Sequence, residues 1–67
     1  MAKIKIINCF NPDKIIKNYK YVIYRKIDNE NWFHGADNDL NICMEIVSDL
    51  GPQAKVVDTC DCNLMAF

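Results

Sequence analysis

Residues 19–51, YKYVIYRKIDNENWFHGADNDLNICMEIVSDLG, change their hydrophobic period partway along, and that change sets the fold. The first part, 19–27, is dense in aromatic and β-branched residues and predicts a strand. Tyr19, Tyr21, Ile23, Arg25 and Ile27 fall on one face of it; Lys20, Val22, Tyr24 and Lys26 fall on the other. Residues 28–31, DNEN, are turn chemistry, because Asp and Asn side chains bond nearby backbone and tolerate left-handed conformations. They are expected to close a hairpin. The returning strand, WFHGA at 32–36, places Trp32, His34 and Ala36 on one face and Phe33 with Gly35 on the other, and its glycine allows a bulge or a close backbone approach. From Asp39 the spacing becomes helical: Leu40, Cys43, Met44, Val47 and Leu50 form one stripe of an amphipathic helix over about 39–50. Asp37 and Asp39 stand where a helix N-terminus wants a cap, and Gly51 followed by Pro52 is a strong stop.

Outward from this unit, KIKIINC at 3–9 alternates before turning apolar and predicts a first strand. NPDKIIKN at 11–18 has an N-cap candidate and an early proline, so it is read as one or two helical turns or a plain loop. AKVVDTC at 54–60 reads as a last strand, with residues 63–67 as a flexible tail. The order is strand, short helix or loop, strand, strand, helix, strand. That is a single α+β domain: a small antiparallel or mixed sheet of three or four strands with one main helix on one face. An eleven-residue helix is roughly 16 Å long, so one sheet face is expected to stay open. Some of Tyr19, Tyr21, Tyr24, Trp32 and Phe33 should then be accessible, as at interaction or homodimer surfaces.

Sixty-seven residues bury only roughly 60% of their unfolded surface, so the core is small. About half the residues are hydrophobic and a quarter charged, the composition of a folded chain. No run approaches about 18 apolar residues, and MAKIKIINCF lacks the apolar stretch and cleavage site of a leader. A cytoplasmic protein without membrane association is expected, with its four cysteines as free thiols. The net charge of −1 conceals a split. Residues 1–27 hold seven of the eight Lys/Arg and one acid, whereas 28–67 hold eight acids and Lys55 alone. Either the halves interleave and neutralise each other across neighbouring strands, or the molecule has a basic and an acidic face suited to a charged partner.

Catalysis finds little support. His34 has no accompanying nucleophile, and Cys43 lies on the expected core stripe. The carboxylates Asp37 and Asp39 are better explained by helix capping. Cys60 and Cys62, as CDC, are the best metal candidates, but four ligands would require Cys9 and His34 as well. No phosphate-cradling loop is formed by the only glycines, Gly35 and Gly51. No enzyme, cofactor or metal is therefore expected. A basic and aromatic strand with Lys20, Arg25 and Lys26 supports nucleic-acid binding as an alternative. The zinc or thiol protein is a further alternative.

Residues 21–51 resemble small domains of unknown function encoded by bacteriophages and mobile elements, in which a Y-V-I-like strand turns into a W-F-x-G-A strand, an acidic cap and a short helix. The resemblance implies an inhibitor that binds and blocks a host protein such as a CRISPR nuclease or other defence machinery. On that reading the protein is a non-enzymatic protein-binding module of the bacterial cytoplasm. Its partner is a host protein or a second copy of itself, met through Tyr21, Tyr24, Trp32, Phe33, Asp37, Glu45 and Asp49.

Overall fold

The computed structural model describes residues 3–66. Along the chain lie β1 (Ile4–Cys9), α1 (Pro12–Asn18), β2 (Tyr21–Ile27), β3 (Glu30–Asp37), α2 (Leu40–Leu50), β4 (Ala54–Asp58), a 3-10 turn (Thr59–Asp61) and β5 (Cys62–Ala66). The α+β class holds, with one main helix and a short one, but with five strands rather than three or four. The NPDKIIKN segment is a helix, and the expected tail is an edge strand through Ala66; Phe67 lies outside the described residues.

β2 pairs antiparallel with β3 on one side and β4 on the other. The β2–β3 turn is tighter than DNEN suggested. Asp28 and Asn29 alone take positive φ, 50° and 66°, the two-residue geometry that matches strand twist. Glu30 and Asn31 already pair with Ile27 and Lys26. On the far side of β3, β1 runs parallel to it, and β5 runs parallel to β1, giving the order β4-β2-β3-β1-β5.

That order forces the sheet to roll up. β4 and β5 are its two edges, yet only the 3-10 turn separates them in sequence. Four strand spacings in a flat sheet are about 19 Å, whereas four Cα steps reach at most about 15 Å. The sheet therefore curls until its edges approach. The near-equal molecular extents of 28 × 26 × 25 Å agree. Ile6 of β1, Val22 and Tyr24 of β2, and Cys62 and Leu64 of β5 pack together across the interior with Cys9, although three strand spacings separate β2 from β5 in the sheet.

This closure corrects the expected open sheet face: curling fills the inner face with the sheet's own side chains. Two irregularities direct them there. Asn8, at φ 61°, interrupts the β1–β5 register between Ile6 and Cys9, and Cys9 joins Ile6 in the core. The bulge that Gly35 suggested sits at His34, which has no partner opposite on β2 between the Ile23–Gly35 and Tyr24–Phe33 pairs. It moves Phe33 onto the same inner face as Ala36, so Trp32 and Ala36 do not share a face as strict alternation predicted.

α2 packs on the outer face, over β4, β2 and β3. It meets the buried Ile23 and Ala54 through a face centred on the buried Cys43, with Ile46, Val47 and Leu50 half-buried. Leu40 and Met44 of the predicted stripe are instead 44% and 52% exposed. Seven of the eleven α2 residues are apolar, so spacing did not single out one face. The small Cys43 stands at the centre of the face that lies against the sheet. Both helix ends follow local chemistry: Asp39 accepts the Asn41 N–H at 2.9 Å, Asp37 accepts the Asp39 N–H at 2.9 Å, and Gly51 at φ 101° returns its N–H to Val47.

Candidate functional site

The strand cations do not meet carboxylates across the sheet. Lys5 stands opposite Asn63, Arg25 opposite Trp32 and Ala54, and Lys26 opposite Asn31. Neutralisation by cross-strand pairing is thus not how this fold handles its charge split. Instead, α2 and its cap carry Asp37, Asp39, Glu45 and Asp49 on the outer side, while Lys14, Lys17 and Lys20 cluster on and just after α1.

Beside α1 lies a groove of about 570 Å³ walled by Phe10, Ile15, Tyr19 and Phe33, with Lys14 at its rim. Each wall has a local origin. β1 ends at Cys9 and throws Phe10 outward, leaving it 78% exposed. α1 turns Ile15 and β3 turns Phe33 toward the core, both half-buried, and Tyr19 ends the helix in extended geometry at 38% exposure. Three carboxamides frame the groove. Asn38 accepts the Lys20 N–H at 2.8 Å and donates to the Asn18 carbonyl at 3.0 Å, and Asn18 donates to the Lys14 carbonyl at 2.9 Å. The amides of Asn18 and Asn38 are engaged with backbone, so the groove offers a partner mainly ring faces, an aliphatic side chain and an ammonium. Phe33 is held by the core and Tyr19 by the ties on its neighbours Asn18 and Lys20, so these two walls lose little further entropy on contact.

The residues expected to bind a partner are dispersed. Tyr24 is 8% exposed and belongs to the core, so curling of the sheet removes its ring from the open aromatic face expected to meet a protein partner. Tyr21 is half-buried on the outer face, with the Lys20 ammonium 5.5 Å from its ring centroid. Trp32 is half-buried, and its indole N–H is buried without an acceptor among the described residues. Phe33 joins both core and groove. Asp37 serves the α2 cap, and Glu45 and Asp49 are exposed on that helix. The Lys20, Arg25 and Lys26 set is also split: Lys20 precedes β2 and the other two lie near its far end, about 17 Å away at the rise of a strand.

Sequence reasoning missed Phe10, Ile15 and Asn38. Phe10 had a signal, a lone aromatic between a strand end and a proline-initiated helix. Asn38 had none, since its two bonds span 18 and 20 residues.

The four cysteines are free thiols, with Cys9, Cys43 and Cys62 buried and Cys60 exposed. Burial pushes the buried three above the ordinary thiol value; at Cys43 the nearby Asp37 and Asp39 add to it, and at Cys62 Asp58 does. They stay protonated at neutral pH and are poor nucleophiles. The four candidate ligands are not gathered: Cys9 and Cys62 point into the core, whereas Cys60 and His34 are exposed. Among the described residues no group of three His, Cys, Asp or Glu is placed to hold a metal, and no helix is long and apolar enough to cross a membrane. Comparison with family models, with curated proteins and with solved structures returns no match.

Proposed function

We propose that this chain is a non-enzymatic protein-binding module whose contact site is the α1 groove. The observation that carries the reading is Phe10, a large apolar side chain 78% exposed at the lip of an aromatic groove. Exposed aromatic residues around a preorganised concavity are the usual anchors of protein recognition. The charged residue lining the groove is Lys14, with Lys17 and Lys20 on and just after the same helix, so the partner segment is one presenting apolar side chains beside carboxylates. Occlusion of a host defence or regulatory protein, the role implied by the resemblance to phage-encoded domains, would follow from such capture without any chemistry.

The same lysines favour a second reading, a single-stranded nucleic acid stacked on Phe10 and Tyr19 with its phosphates on Lys14, Lys17 and Lys20. Arg25 and Lys26 play no part in it. The two readings separate in one experiment. Arrays of short acidic–aliphatic peptides and a mixed-sequence oligonucleotide are titrated with the wild type, Phe10→Ala, Lys14→Glu and Glu45→Lys. Peptide binding weakened at least about tenfold by Phe10→Ala and Lys14→Glu but kept by Glu45→Lys supports the first reading. Salt-sensitive oligonucleotide binding lost in the same two variants supports the second. Peptide and oligonucleotide signals indifferent to Phe10 would remove the groove from both.

A further inference from the structure

A second concavity, of about 510 Å³, lies at the other end of β2, beside the Asp28–Asn29 turn. Its floor comes from the inner face of the sheet where the barrel opens. Tyr24 and Lys26 are successive inward positions on β2, Lys55 stands opposite Tyr24 on β4, and Asn31 stands opposite Lys26 on β3. The backbone here is fixed: the Lys26 N–H donates to the Gln53 carbonyl at 3.0 Å, and the Asn31 carboxamide donates to the Lys5 carbonyl at 3.1 Å.

The arrangement places two ammonium groups on adjacent strands of one face with no carboxylate across from either. Lys55 is opposite Tyr24 and so diagonal to Lys26, about 7–8 Å away, a spacing that two long side chains span around one small anion. Asp28, in the turn, is the one carboxylate lining the concavity, which leaves a net positive charge. Burial, and secondarily the Cys62 thiol, pushes the Tyr24 phenol above its ordinary value, so it remains a protonated donor at neutral pH.

We propose that this mouth of the barrel is a binding site for a small phosphate-class oxyanion, free or as a phosphate ester, held between Lys26 and Lys55 with Tyr24 donating. The anion takes charge-assisted hydrogen bonds from both lysines. Asp28 carries negative charge in the lining itself, which disfavours a continuous polyanion and favours a small ligand. The site shares no residue with the α1 groove and stands or falls separately from it.

The test is an amide-resolved NMR titration with inorganic phosphate against sodium chloride at matched ionic strength. Saturable shifts at Lys26, Gln53 and Lys55 are expected, weakened at least about tenfold in Lys26→Met/Lys55→Met, reduced in Tyr24→Phe and unchanged in Lys14→Met. The lysines are exposed and Tyr24→Phe keeps the ring, so the variants stay folded. Shifts that fail to saturate, are matched by chloride, or survive in the double variant would overturn the proposal.

Discussion

α1 and α2 are both short amphipathic helices, but the fold holds them by different means. α2 lies across β4, β2 and β3, buries Cys43 against the sheet, and begins on an Asp39 carboxylate that receives a backbone N–H. α1 has no fully buried residue, and its N-cap Asn11 makes no side-chain cap bond. It is held at its far end, where Asn38 bridges Asn18 and Lys20. A helix secured by burial has given most of its apolar surface to the core. One secured at its end keeps side chains available, and here they wall a groove. The lesson is that the less buried helix is the better place to look for function.

The sharpest way to break this contrast is to remove the seat of each helix. Ile23 is 1% exposed and faces α2, so Ile23→Ala should cost about 3 kcal/mol in urea unfolding. The half-buried Ile15 under α1 should lose only about 1 kcal/mol on the same change. Equal losses would end the distinction. Next in size, Asp39→Ala removes a working cap and should cost about 1 kcal/mol, whereas Asn11→Ala should fall within about 0.3 kcal/mol of wild type. Native-state hydrogen exchange then examines the tie itself. Asn38→Ala should raise exchange in α1 about tenfold while leaving α2 unchanged; a uniform rise would mean that Asn38 supports the whole fold.

The smallest effect is confined to alkaline pH and tests the seat of α2 again. Cys43 is raised above its ordinary value by burial and by Asp37 and Asp39. A raised folded-state value means that its contribution is fully present below the unfolded thiol range and is lost as pH climbs through and beyond it. Thermal midpoints should therefore be flat near neutrality and fall above about pH 9, less steeply in Cys43→Ala than in wild type. Cys9, Tyr24 and Cys62 bend the curve in the same direction, so only the difference between the two proteins bears on α2.

The parts read correctly from sequence share one property, which is that their causes are local. The β2 strand declares itself through its aromatic and β-branched residues, the β2–β3 turn through Asp28 and Asn29, and α2 through Asp39 and Gly51 at its ends. Each depends on bonds spanning a few residues. What the sequence could not show depends on sums over the whole sheet. Closure follows from the strand order β4-β2-β3-β1-β5 combined with a three-residue link between its edges, and neither is encoded in any one window. Closure turns Tyr24 from a surface residue into core and CNLMA from a tail into a strand. Single-residue irregularities at Asn8 and His34 reset which side chains face inward, because the side-chain period of a strand is two and one extra residue inverts everything after it. The sequence by itself determined strands β1 to β4, the turn and the capped helix. Only the tertiary structure decided which face of each is core, and so where Phe10, Tyr19 and Phe33 meet, since that depends on register and sheet curvature rather than on residue type.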